Sequence, residues 1–204
     1  MPPAPATKRL FVLRHAKSSW DDPGVGDHDR PLAPRGRRAS ELLSEHLRRE
    51  GIRPELILCS SALRARETLA LAVLEPGRHA GGGAGAGGGA GAGAGARGGS
   101  GLDETGAPAE VRIERELYMA SAGELIARLR AVPTGASSVM LIGHNPGLRD
   151  LASSLAARDE ALREKFPTGA LATLTFTCAW NRIGPGCAEL SGFVRPRDLA
   201  RSSR

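Results

Sequence analysis

Leu10-Phe11-Val12-Leu13-Arg14-His15 is a run of four apolar residues that leads straight into two polar ones. A short continuous apolar run of this kind reads as a strand buried on both faces, as in a parallel sheet. Open α/β sheets bind ligands just past the carboxyl ends of their strands, which is where Arg14 and His15 stand. A guanidinium presents a rigid fork of donors that matches phosphate oxygens, and a neutral imidazole beside it can attack phosphorus. Taken alone, the pair reads equally well as a polar cap on a strand, because Arg-His is not diagnostic by itself.

Two more apolar runs end the same way. Residues 55–59 lead into Ser60-Ser61 and a helix starting near Ala62, with Arg64 in its first turn. Either serine can cap that helix, and a strand followed by a helix start aims backbone N–H groups at an anion. Residues 138–142 lead into Gly143-His144-Asn145-Pro146, and Pro146 opens a helix with Leu148, Leu151 and Leu155 on one face. Each polar residue has an ordinary alternative: Arg64 as a solvated helix residue, His144 as a helix-start cap. In a parallel sheet, however, the three strand ends lie along one edge and can meet in one pocket. Two arginines and two histidines there suit phosphoryl transfer without a metal. The arginines would neutralise the equatorial oxygens, one histidine would attack in line, and the other would donate a hydrogen bond.

The rest of the chain supplies an α/β frame. Residues 1–8 form a flexible Pro/Ala-rich lead-in, and residues 16–33 a loop rich in turn formers such as Asp21 and Asp22. A helix opens at Pro34, faces the core through Leu42, Leu43 and Leu47, and stops at Gly51. The helix after Ser61 points Leu63, Leu69, Leu71 and Leu74 inward and stops at Pro76-Gly77. Residues 81–101 are nearly all Gly and Ala, too poor in side-chain area to offset backbone entropy, and are expected to be a disordered insertion. Residues 111–113 read as a short strand. Ser121 and Glu124 make a capping box for a helix over about 122–131. Strands follow at 170–177 and 189–194. A single domain thus spans 9–198, and an Arg/Ser tail at 199–204 is expected to fray.

Composition narrows the functional classes. The chain has 204 residues, 41% of them hydrophobic and 3% aromatic, with a net charge of +6. So few aromatics argue against a stacking platform for single-stranded nucleic acid, and no dense Lys/Arg run marks a nucleic-acid patch. The basic excess reads first as an Arg-biased surface and second as a preference for acidic or phosphorylated partners. Cys59, Cys178 and Cys187 form no C-x-x-C pair, so neither a zinc site nor a disulfide framework is expected. Without a secretory signal or a membrane-length apolar run, a cytoplasmic location with no membrane partner is expected.

The segment Leu13-Arg14-His15-Ala16-Lys17-Ser18-Ser19-Trp20 resembles the signature of the SixA-type phosphohistidine phosphatases. These belong to the histidine phosphatase superfamily, together with the phosphoglycerate mutases. The superfamily usually carries Arg-His-Gly, and Ala16 in the third place looks like the SixA branch. Residues 27–32, 60–68, 116–118, 143–148, 167–170 and 193–198 also resemble that branch, so the likeness covers nearly the whole chain outside the tails and the insertion. It implies a three-layer α/β/α sandwich with a mostly parallel central sheet, phosphoglycerate mutase-like. It implies His15 as nucleophile, Arg14 and Arg64 as phosphate ligands, and His144 as the second histidine of the phosphate pocket. Asn145 and Ser18, in the same motifs, join the substrate-binding set. No metal and no cofactor are implied.

The resemblance leaves the general acid open between Glu114 and Glu116, each of which also reads as a solvated strand end. His28, between two aspartates, reads as a loop-ordering residue rather than a metal ligand, and His46 and His79 receive no role. The loop between the first strand and its helix is too short for a lid. That favours phosphohistidine on a protein, such as a histidine phosphotransfer domain, as substrate. A phosphatase of small phosphate esters is the alternative. A non-catalytic phosphohistidine-binding module is a third reading, disfavoured because all four groups are present.

Overall fold

The computed structural model describes residues 6–74, 110–157, 159, 162 and 165–202. Its strands are β1 (Lys8–Arg14), β2 (Leu56–Ser60), β3 (Glu110–Glu114), β4 (Ser138–Gly143), β5 (Leu171–Phe176) and β6 (Glu189–Val194). They form one mixed sheet in the order β3-β2-β4-β1-β5-β6. The pairings β3-β2, β2-β4 and β4-β1 are parallel, whereas β1-β5 and β5-β6 are antiparallel. The parallel character expected of the sheet therefore holds on one side of β1 and gives way on the other.

Register places the site. Arg14 lies level with Gly143, and Ile142 is level with both Leu13 and Cys59. The ends of β1, β2 and β4 consequently finish together, and His15, Ser60 and His144 emerge at one edge. Alternation along β1 sends Leu10 and Val12 to one core and Phe11 and Leu13 to the other. The first core takes in Leu125 and Leu129 of α3 (Ala122–Arg130) and Leu148, Leu151 and Leu155 of α4 (Gly147–Leu155). The second takes in Leu43 and Leu47 of α1 (Pro34–Arg49) and Ala65 and Leu69 of α2 (Leu63–Leu69). Each fully buried leucine contributes about 1.5–3 kcal/mol, so both faces of β1 are held firmly behind the residues it delivers.

Local signals explain most boundaries. Pro34 occupies the first turn of α1, and Gly51 just past its end has φ +61°, a conformation that favours glycine. Ser121 and Glu124 form the reciprocal capping box. Two glycines pin loops to the site by backbone contact. A Cβ at Gly36 would lie 2.1 Å from the Lys17 carbonyl oxygen, and one at Gly147 would lie 1.9 Å from that of Ala120.

Two expectations change. The buried stripe after Ser61 is carried by Ala65, Leu69 and Ala72, while Leu63 and Leu71 are half-buried and Leu74 is 43% exposed. For Leu71 and Leu74 the cause is a π-helical turn over Ala70–Leu74, which widens the helix and rotates its side chains off the α-helical stripe, whereas Leu63 is the first residue of α2. The expected frayed tail instead lies largely within a helix, α5 (Pro196–Ser202). Pro196 starts it, Asp198 accepts from Arg195 at 2.7 Å, and Leu199 packs into the second core, which offsets fraying. Pro76-Gly77, His79 and the Gly/Ala insertion lie outside the described residues.

Candidate active site

His15 leaves the end of β1 and is 7% exposed. Its ring Nδ1 lies 2.7 Å from the Ala16 carbonyl oxygen. A carbonyl can only accept, so Nδ1 carries the proton and the lone pair resides on Nε2. The backbone around the ring is fixed on every side. His15 N donates to Gly143 O (3.1 Å), Gly169 N donates to the carbonyls of Arg14 and His15 (3.1 Å each), and Ala16 N donates to Thr68 Oγ1 (3.0 Å). Thr68 in turn donates to the Arg64 carbonyl at 2.6 Å, tying the β1 end to α2.

His144 follows β4, with its ring centroid 4.9 Å from that of His15. Its Nε2 lies 2.7 Å from Ser60 Oγ and its Nδ1 lies 3.4 Å from Arg64 Nη2. A guanidinium only donates, so the neutral ring presents a lone pair at Nδ1 and donates Nε2–H to Ser60. Ser60 and Ser61 thus have other work than the helix cap expected of them. Ala62 occupies the N-cap of α2 without a side-chain cap, and Ser61 Oγ lies 2.9 Å from His28 Nε2.

The two arginines are anchored differently. Arg14 Nη1 donates to Phe166 O at 2.8 Å, and Asn145 Nδ2 donates to the same oxygen at 3.0 Å. Arg64 donates to the Asp27 carbonyl through Nη1 and to Asp27 Oδ2 through Nη2 at 2.9 Å. The same carboxylate accepts from Tyr118 OH at 2.6 Å and pairs with Arg30 at 2.8 Å. Tyr118 stands edge-on to His144 at 5.4 Å and to His28 at 4.9 Å. Among the described residues, Arg14 Nε and Arg64 Nε are buried without a hydrogen-bond partner. Buried donors left unpaired by the protein are the chemistry that an oxyanion satisfies.

This setting holds both rings neutral. Burial is the main cause of the drop in His15 to about 4, and Arg64, Arg14 and Arg30 add to it against the Ala16 hydrogen bond. Burial first, then His15 and Arg64, lower His144 to about 3. Burial and the neighbouring Arg64 also lower the Arg14 guanidinium from its ordinary value. The Tyr118 hydrogen bond and then Arg64 keep the Asp27 carboxyl below the usual carboxylate range.

Of the residues singled out from sequence, Arg14, His15, Arg64 and His144 gather here, with Asn145 joined to Arg14 through Phe166. Ser18 is buried and its backbone bridges Leu32, but among the described residues no hydrogen bond links it to the cluster. Glu114 is held by Arg128 through two bonds of 2.6 and 2.7 Å, and Glu116 is exposed on the 3-10 turn Arg115–Leu117. His28 orders its loop, as expected, by binding Ser61 and Asp29. His46, given no role from sequence, is buried on α1 against Arg49. Asp27, Tyr118 and Thr68 were not foreseen as parts of the site, although all three fall in the matched motifs, and Ser60, expected at this edge, bonds His144 rather than capping the helix. Among the described residues no trio of His, Cys, Asp or Glu is grouped to hold a metal ion, and no helix is long and apolar enough to cross a membrane.

Residues 10–79 match the model of the histidine phosphatase superfamily, branch 1. An uncharacterized protein of Mycobacterium tuberculosis is 35% identical over 192 residues, covering 91% of this chain and all of its own. A candidate phosphohistidine phosphatase SixA from Nakamurella multipartitia is 29% identical with a TM-score of 0.69, over 94% of this chain and 98% of that one. Its counterpart from Agrobacterium tumefaciens is 26% identical with a TM-score of 0.67, over 93% and 98%. The chain belongs to the histidine phosphatase superfamily. Within it the likeness is to the SixA type, and this kinship supports a phosphatase.

Proposed function

We propose that this protein is a metal-independent phosphatase that removes the phosphoryl group from phosphohistidine on another protein, such as a histidine phosphotransfer domain, through a phospho-His15 intermediate. The frame is read as the three-layer α/β/α sandwich of the phosphoglycerate mutase kind, in the cytoplasm. In the first step the His15 Nε2 lone pair forms a bond to phosphorus while the substrate's P–N bond breaks, and the substrate imidazole leaves with its proton. In the second step water attacks the phospho-His15 phosphorus, and inorganic phosphate leaves as the P–Nε2 bond breaks. Arg14 and Arg64 neutralise the transferring oxygens, and Asn145 and Ser18 complete the contacts to substrate. A bound dianion offsets the guanidinium charges, so His144 can take up a proton on Nδ1 and donate it as a hydrogen bond to the phosphoryl group.

The carrying observation is the bond between His15 Nδ1 and the Ala16 carbonyl, which leaves a neutral, nucleophilic Nε2 beside two arginines with unpaired donors. The preference for phosphohistidine rests on the acids. An alkoxide leaving group needs a proton at once, whereas a protonated imidazole does not. Of the two candidate glutamates, Glu114 is committed to Arg128 and Glu116 is exposed, so neither is held as an acid within the cluster.

The test is to trap phosphoenzyme and compare substrates. Wild type should form an acid-labile phosphoenzyme that His15→Ala lacks, which also separates an enzyme from a binding module. Phosphohistidine should turn over faster than an alkyl phosphate, with Glu116→Gln within about twofold of wild type on phosphohistidine. An alkyl ester that is the better substrate, with Glu116→Gln dead on it, would return the site to small-ester chemistry.

A further inference from the structure

A groove of about 770 Å³ opens between α1, α5 and the 165–168 stretch, and it belongs to none of the machinery above. Six cationic side chains line it: Lys17, Arg35, Arg38, Lys165, Arg195 and Arg197. Among the described residues, no acidic side chain lines it. Arg195 and Arg197 share Asp198, while Lys17, Arg35, Arg38 and Lys165 have no carboxylate within 4.0 Å among the described residues. Its floor is apolar, with Ala39 and Leu42 from α1 and Pro196 from α5.

The groove adjoins the phosphate pocket through shared backbone. Lys17 is two residues past His15, and its carbonyl accepts from Ala33 N just before α1. Pro167 and Thr168 line the groove between Phe166, whose carbonyl holds Arg14, and Gly169, whose N–H holds the Arg14 and His15 carbonyls. A chain seated in the groove would therefore lie beside the reacting histidine.

We propose that this groove docks an acidic, amphipathic segment flanking the phosphohistidine of the protein substrate; this rests on the protein-phosphohistidine function proposed above. Six like charges in one groove repel each other, and carboxylates on an incoming segment relieve that repulsion. The apolar floor and the stems of the arginines offer contact area to leucine-like residues between the acids, which a bare polyphosphate would leave unused. Electrostatic docking of this kind raises the encounter rate and selects among partners more than it changes the chemistry at phosphorus.

The probes are two phosphohistidine peptides, each flanked on both sides by helical sequence. One carries Asp and Glu along one face with Leu along the other, and its control carries Asn and Gln at the acidic positions. Wild type should prefer the acidic peptide by about tenfold in kcat/KM at low salt, expressed in KM and shrinking as salt is raised. The double variant Arg38→Glu/Arg197→Glu should lose that preference while keeping kcat and its turnover of phosphoimidazole. A third peptide with Lys at the acidic positions should then become the better substrate of the double variant, which also shows that the variant is folded. Peptides turned over without preference, or a preference that survives the double variant, would overturn the docking surface alone. A double variant that loses phosphoimidazole turnover in proportion would assign the groove to small phosphates and overturn it too. Failure of wild type on every peptide, with an alkyl phosphate consumed, would overturn the protein-substrate function and the docking surface together.

Discussion

Arg14 and Arg64 approach the same pocket from opposite sides of β4's end, and the protein holds them in opposite ways. Arg14 is tethered by a neutral carbonyl, that of Phe166, so no carboxylate balances its charge in the hydrogen bonds described. Arg64 sits in an ionic web with Asp27, which also collects Arg30 and Tyr118. The difference teaches a division of labour. The Arg14 side offers a charge that no carboxylate among the described residues balances, one that the dianion of the proposed substrate would meet. The Arg64 side is already balanced and is built to stay in place.

The sharpest way to break this contrast is to remove each guanidinium. Arg14→Ala should lower kcat/KM for a phosphohistidine peptide by about 10³-fold while the melting temperature hardly moves. Arg64→Ala should cost comparable activity and also lower the melting temperature, because it deprives Asp27 and His144 of a partner. Equal melting temperatures for the two variants would dissolve the distinction.

Next in size is the pH dependence of stability, which depends on the rings beside the two arginines. An imidazole ordinarily titrates near about 6.5, and folding lowers His15 to about 4 and His144 to about 3. Between these values the unfolded chain binds more protons than the folded one. The contribution of these two rings to stability is therefore complete above about pH 6.5 and falls as the pH drops toward and through the folded values. Thermal melts between pH 7.5 and 4 should show that slope, flattened in His15→Asn and in His144→Asn. A slope unchanged in both variants would place the titration elsewhere.

The smallest effect isolates the balancing charge itself. Asp27→Asn keeps an acceptor for Tyr118 and removes the negative charge facing Arg64 and Arg30. Because Asp27 is 48% exposed, the stability loss should be only about 1 kcal/mol. Inhibition by inorganic phosphate should tighten a few-fold as Arg64 loses its counter-ion, while kcat falls. Weaker phosphate inhibition would mean that Asp27 orients Arg64 more than it neutralises it.

What could be read from sequence follows the reach of each interaction. The strand ends at Arg14, Ser60 and Gly143 were legible because continuous apolar runs mark buried strands, and parallel pairing then aligns their carboxyl ends. The Ser121 capping box was legible because it is closed within four residues. The bond between Ser60 and His144 spans 84 positions, and the one between Tyr118 and Asp27 spans 91; no local pattern encodes either. A serine before a helix reads as a cap, so Ser60 was assigned to the wrong partner. The direction of β5 was equally hidden, since alternation gives a strand but not its sense. Glu114 looked available only because Arg128, on the next helix, is invisible to spacing alone.

The bond from His15 to the Ala16 carbonyl reaches further than holding the ring. With Nδ1 committed there, phosphorus can be carried only by the nitrogen remote from the main chain. A phospho-His15 intermediate of the kind proposed would thus be the tele isomer, whichever isomer the donor delivers. A donor bearing the pros isomer would have its phosphoryl group moved to the other ring position on its way to water.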